Sequence, residues 1–115
     1  MHELSIALSV LDIVRSTAVE AGLARVDTVR LRVGRATGVL PDALRFAFEC
    51  SKAGTPAAGA TLAIEEVPIG GRCEDCGREF TSPEPYVLAC PLCGGGSFRI
   101  TTGDELAVLD LEGEP

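Results

Sequence analysis

Residues 73–94 read CEDCGREFTSPEPYVLACPLCG, from Cys73 to Gly94. The stretch holds two C-x-x-C pairs, Cys73/Cys76 and Cys90/Cys93, with 13 residues between them. Two residues between two thiolates let one tight turn present both sulfurs to a single cation. Two such turns complete a tetrahedral four-sulfur cage, which suits Zn2+. Gly77 and Gly94 follow the second cysteine of each pair, where positive φ lets the chain turn away from the metal. The spacing is slightly short for paired C-x-x-C sites but ample for a hairpin. It predicts a zinc ribbon with Cys73, Cys76, Cys90 and Cys93 as ligands. The alternative is two disulfides. The first thirty residues carry no basic-apolar-small pattern, and no apolar run approaches the roughly 18 residues that span a membrane. The expected location is therefore the cytoplasm, where thiols stay reduced, and that favours metal.

Outward from the ribbon, the hydrophobic period sorts the rest of the chain. Residues 3–22 place Leu4, Ala7, Leu8, Leu11, Val14 and Ala18 at helical spacing. Ile6, Val10 and Ile13 widen the stripe, so this helix is expected to be buried over much of its surface. Gly22 is its stop. Residues 26–34 alternate, with Val29, Leu31 and Val33 opposite Arg30 and Arg32, as in a half-buried strand. Pro41 and Asp42 suit the start of a second helix whose apolar face is Leu40, Ala43, Leu44, Ala47 and Phe48. Residues 53–60 read as a flexible loop. Thr61 to Val67 is a second strand and Glu105 to Leu111 a third. A lone strand after the ribbon cannot fold by itself, so it is expected to rejoin the first two. The fold predicted is α+β: two helices against a three-stranded sheet, with a rubredoxin-like zinc ribbon inserted before the last strand. The corresponding domains are residues 1–69 with 101–115, and residues 70–100.

Charge narrows the function. The chain carries 17 acidic and 10 basic residues, a formal charge of −7. Four thiolates around one divalent cation make the holo-protein more acidic still. Near the cysteines stand Arg72, Arg78 and Arg99 against Glu74, Asp75, Glu79 and Glu84. A phosphate backbone needs a basic face, so nucleic acid is disfavoured. A metal cation or a basic protein surface is the better partner.

The chain's one histidine is His2. An α-amine followed by histidine can close two fused chelate rings through the amine, the His2 amide nitrogen and the imidazole. The Glu3 amide, its carboxylate, water or a partner's group can fill the fourth position. Planar nitrogen-rich ligation suits Ni(II) or Cu(II). An amine titrating near ~8 and the positive end of the adjoining helix both moderate affinity. Taken alone, a histidine near a terminus is most often only solvated.

The chain as a whole resembles the HypA/HybF family. The features that carry the resemblance are Met1-His2-Glu3-Leu4-Ser5, a helix, a strand, Ala43-Leu44-Arg45-Phe46-Ala47-Phe48-Glu49, the late C-x-x-C-G pairs, and Gly103-Asp104-Glu105-Leu106 after the ribbon. The resemblance implies a nickel metallochaperone of [NiFe] hydrogenase maturation, not an enzyme, with nickel as transient cargo and a structural zinc ion. It implies Met1, His2 and Glu3 as nickel-binding residues and the four paired cysteines as zinc-binding residues. It implies as partners a HypB-type GTPase and the hydrogenase large subunit, with urease maturation factors in some relatives, and neither nucleic acid nor membrane. In some relatives a carboxylate in the loop before the second helix approaches nickel. Residues 35–40 here hold no acid, so that role is not assigned.

Two rival readings are weaker. A zinc ribbon that binds nucleic acid or protein without nickel meets the charge argument. A zinc hydrolase needs an open coordination position, which four cysteines do not leave. Cys50, the fifth cysteine, reads as a small buried hydrophobe on the second helix. Gly94-Gly95-Gly96 lacks the lysine of a phosphate-binding loop.

Overall fold

The computed structural model describes residues 2–115. Helix α1 spans His2–Ala21, strand β1 Arg25–Gly34, a 3-10 turn Arg35–Thr37, and helix α2 Pro41–Ser51. The strands β2 (Thr61–Val67), β3 (Ile69–Cys73), β4 (Glu79–Ser82), β5 (Phe98–Thr102) and β6 (Leu106–Glu114) follow. They form two sheets, ordered β2-β1-β6 and β4-β3-β5. The fold is thus the expected α+β arrangement, with the ribbon strands inserted before the strand that completes the first sheet. The chain divides into two compact units. One is Met1–Leu31, Val39–Glu65 and Ala107–Pro115, and the other is Arg32–Gly38 and Glu66–Leu106.

In the first unit, α1 packs against α2. Helix α1 stops at Gly22, whose φ of 71° is open to glycine at no steric cost. Pro41 opens α2 after Leu40 in extended conformation, because its fixed φ fits the first turn and its missing N–H would have had no partner there. The core draws Ala7, Val10, Leu11, Val14 and Ala18 from α1, Val26, Val29 and Leu31 from β1, and Leu44, Ala47 and Phe48 from α2. The start of β1 meets the end of β6 through Ala24 N–H donating to the Glu114 carbonyl, 2.8 Å. Within the second unit, the end of β1 meets the residue before β6 through Gly34 N–H donating to the Glu105 carbonyl, 2.7 Å. The two strands therefore run antiparallel.

Three expectations need correcting. Helix α1 is not buried over much of its surface: Leu8 is 50% and Ile13 47% exposed. Positions 7, 10, 11, 14 and 18 cluster within one arc of the helical wheel, and the flanking apolar residues fall outside it. Cys50 is exposed, not buried, since Leu44, Ala47 and Phe48 define the inner face of α2 and position 50 lies off it. Residues 53–60 form a bonded turn. Thr55 Oγ1 donates to the Lys52 carbonyl at 2.7 Å and accepts from Ala57 N–H at 3.1 Å, and Ala57 and Ala60 are buried.

In the second unit, β3 is the central strand, antiparallel to β4 and to β5. Its inner side carries Cys73, packed with Phe80 and Cys90. The rings of Phe80 and Phe98 meet edge to face, with centroids 6.0 Å apart. That is a small apolar core, of the size that calls for a metal staple.

Candidate metal centre

Strand β3 ends in the first cysteine turn, and the second lies between β4 and β5. Both turns use the same bonds. Cys73 N–H donates to the Arg78 carbonyl at 2.9 Å and Gly77 N–H to the Cys73 carbonyl at 3.0 Å. In the second turn Cys90 N–H donates to the Gly95 carbonyl and Gly94 N–H to the Cys90 carbonyl, both 2.8 Å. Gly77 and Gly94 have φ of 71° and 77°, so the glycine after each pair does adopt positive φ. Gly95 packs so closely on the Asp75 carboxylate that a Cβ there would overlap it.

These turns bring all four sulfurs together, each within 4.8 Å of the others. Cys73 Sγ lies 3.6 Å from Cys93 Sγ, and Cys76 Sγ lies 3.9 Å from Cys90 Sγ. Both distances are far beyond a disulfide bond, near 2.05 Å, and all five cysteines are free. Four sulfurs about 2.3 Å from one tetrahedral ion lie ~3.8 Å from each other, so the separations fit a single metal ion. Amide donors support the sulfurs' negative charge. Cys76 N–H points at Cys73 Sγ, Leu92 N–H at Cys90 Sγ and Gly95 N–H at Cys93 Sγ, each 3.4 Å.

The thiols do not ionise alike without metal. Cys76 is pulled down to about 6, first by the Arg78 amide and further by the Arg78 guanidinium, against the effect of burial. For Cys90, burial opposes ionisation but the Leu92 and Cys93 amides outweigh it, and the thiol is lowered. At Cys93 the Gly95 amide favours the thiolate. The neighbouring sulfurs, Cys73 first, together with burial override it and push the thiol up to about 12. Like charges this close cannot all form until a cation joins them. In sequence, Arg78 stands out only as one of the ribbon's cations. Its position two residues after Cys76 was the available signal for this role.

His2 stands exposed at the start of α1, and Ser5 Oγ donates to its carbonyl at 3.0 Å. The Glu3 carboxylate is occupied: Oε2 accepts the Leu40 backbone N–H at 3.4 Å, at the entry to α2. The favourable end of that helix dipole holds a negative charge there. Met1 lies outside the described residues. Among the described residues, His2 and Glu3 are not part of a group of three or more donors that converge as the cysteines do. No helix among the described residues is long and apolar enough to cross a membrane.

Residues 1–113 match the family described as "HypA: Hydrogenase/urease nickel incorporation, metallochaperone, hypA". The hydrogenase maturation factor HypA of Chloroflexus aurantiacus (strain ATCC 29366 / DSM 635 / J-10-fl) is 46% identical over 112 residues, covering 97% of this chain and 98% of that protein. The hydrogenase maturation factor HybF of Klebsiella pneumoniae is 44% identical over 114 residues, covering 99% of this chain and all of that protein. The solution structure of the Ni metallochaperone HypA from Helicobacter pylori aligns with a TM-score of 0.68 over 97% of each chain. At 22% identity it is a likeness of fold.

Proposed function

The chain belongs to the HypA family of hydrogenase/urease nickel-incorporation metallochaperones, and from that premise we propose that it carries Ni(II) at Met1, His2 and Glu3. In this reading it delivers the ion during [NiFe] hydrogenase maturation and performs no catalysis itself. A HypB-type GTPase supplies any nucleotide hydrolysis, the hydrogenase large subunit receives the nickel, and the work is done in the cytoplasm. Urease maturation is the corresponding destination in some relatives. Zinc, when bound at Cys73, Cys76, Cys90 and Cys93, supplies the crosslink that the ribbon's small core lacks. Nickel handling is assigned to the part built on α1 and α2, and zinc binding to a part centred on residues 70–100.

One observation carries the nickel reading. The chain's single histidine is solvent-exposed on the first turn of α1, next in sequence to Met1 and to a carboxylate tethered at Leu40. The imidazole is open to an incoming ion. Glu3, through its bond to the Leu40 amide, restrains the start of α1.

Nickel titration of the native protein, of His2→Ala and of a version extended ahead of Met1 tests the chelate. Both changes are expected to weaken binding by at least the ~10–100-fold that loss of an outer-shell partner alone costs. Zinc content is expected to stay near one ion per chain. Unchanged nickel binding in both variants would rule out the amine-imidazole chelate.

A further inference from the structure

Helix α2 has a second face that its own core does not use. Of the stretch Ala43–Glu49, the fold buries Leu44, Ala47 and Phe48, while Arg45, Phe46 and Glu49 are exposed. Phe46 is 71% exposed. Cys50, one helical turn further on, is exposed as well, and Ala43, three residues before Phe46, is half-buried. Spacings of three and four residues put Ala43, Phe46 and Cys50 on one stripe. A row of charge runs beside it. Asp42, Arg45, Glu49 and Lys52 follow at the same kind of spacing and alternate in sign. Within the chain, Arg45 Nη1 lies 3.0 Å from Asp42 Oδ1 and Lys52 Nζ lies 2.9 Å from Glu49 Oε2.

The order of those charges points to the occupant. From Asp42 to Lys52 the row reads acid, base, acid, base, and backwards it reads base, acid, base, acid. Laid antiparallel, the row is its own complement. A two-fold axis across the middle of α2 sets each row on the same row of the other copy, reversed, so unlike charges meet and apolar stripe meets apolar stripe. Arg45 and Glu49 are the middle members of the row. Their side chains are 44% and 57% exposed, and one guanidinium has donors enough for Asp42 of its own chain and Glu49 of the other copy. Lys52 contributes less, because its Nζ is drawn inward to the Ala60 carbonyl at 3.0 Å. A foreign helix would need this alternation in the matching order, whereas a second copy always carries it.

We propose that the outer face of α2 pairs antiparallel with α2 of a second copy of this chain, Arg45 of each copy bridging to Glu49 of the other and Phe46 laid on the facing apolar stripe. The helix has 11 residues and is about 16 Å long, so this face falls well short of the about 800 Å2 per partner of a standard interface. The pair is therefore weak, reversible and dependent on protein concentration. The proposal is independent of the nickel reading, since it draws on no ligand of either metal.

Sedimentation equilibrium of the full-length, zinc-loaded protein, carried to millimolar concentration at low salt, tests this. The average mass of the native protein is expected to rise toward that of two chains. R45E or E49R sets like charges against each other at both symmetric contacts, and each is expected to weaken association on the order of tenfold. Phe46→Ala is expected to weaken it as well. An equimolar mixture of R45E and E49R is expected to recover association, because a mixed pair again sets acid against base at both contacts. Mixing cannot repair a folding defect, so this recovery separates docking from stability. A native protein that stays monomeric throughout would leave the face to a different partner and overturn the proposal. Undiminished association of R45E and E49R, or a mixture that associates no better than its components, would overturn it too.

Discussion

At the four cysteine sulfurs, protons and metal compete for the same lone pairs. Cys93, pushed up to about 12, keeps its proton at neutral pH in the metal-free protein, while Cys76, pulled down to about 6, has largely lost its own. Metal takes thiolates, so every proton still present must leave on binding. Zinc uptake at pH 7 is therefore expected to release protons into a weakly buffered solution containing an indicator dye. Apparent affinity is expected to fall as pH falls, and more steeply once pH passes below about 6, where Cys76 also holds a proton. Competition with a chromophoric chelator across pH measures this, and a flat profile would contradict it. The ligand set itself was legible in sequence, because C-x-x-C spacing and a following glycine are local facts. The Glu3 contact was not: its partner Leu40 lies 37 residues away, and no local pattern encodes a carboxylate meeting a distant backbone amide.

At the level of elements, periodicity located both helices and the sheet strands but overstated how much of α1 is covered. Helical spacing identifies which residues share a face, whereas burial also requires something to pack on that face. Leu8 and Leu11 are both apolar and one turn apart, yet Leu11 is 3% and Leu8 50% exposed. Leu11→Ala is thus expected to destabilise the protein by about 2–5 kcal/mol. Leu8→Ala is expected to cost about 1 kcal/mol or less. Urea titrations of the two variants side by side distinguish them, and equal losses would mean that α1 packs on both flanks. The same reasoning explains Cys50. A small apolar residue on α2 is expected inside, but the angular position of Cys50 sets it off the face that Leu44, Ala47 and Phe48 bury. The short strands β3, β4 and β5 were legible only as a ribbon, since glycine at positions 70 and 71 removes the alternation that marks a strand.

For the whole molecule, metal removal is the decisive perturbation, because stability is distributed unevenly along the chain. The first unit has a core fed by two helices and a sheet, while the ribbon's core is little more than Cys73, Phe80 and Cys90 with their neighbours. Stripping zinc with a chelator is expected to abolish amide hydrogen-exchange protection across Ile69–Thr102 first, with α1 and α2 still protected. Simultaneous loss everywhere would mean a single cooperative block. The insertion has a second consequence, entropic in nature. Residues 68–105 separate β2 from β6, and closing a slack tether of that length costs ~3 kcal/mol. With β3 and β5 paired at Gly70 and Thr102, that tether shrinks to a few residues at either side of a clip. An ion bound at the four cysteines would thereby raise the local concentration of β6 beside β1, and its removal is expected to loosen the last strand without any contact in that sheet having been altered.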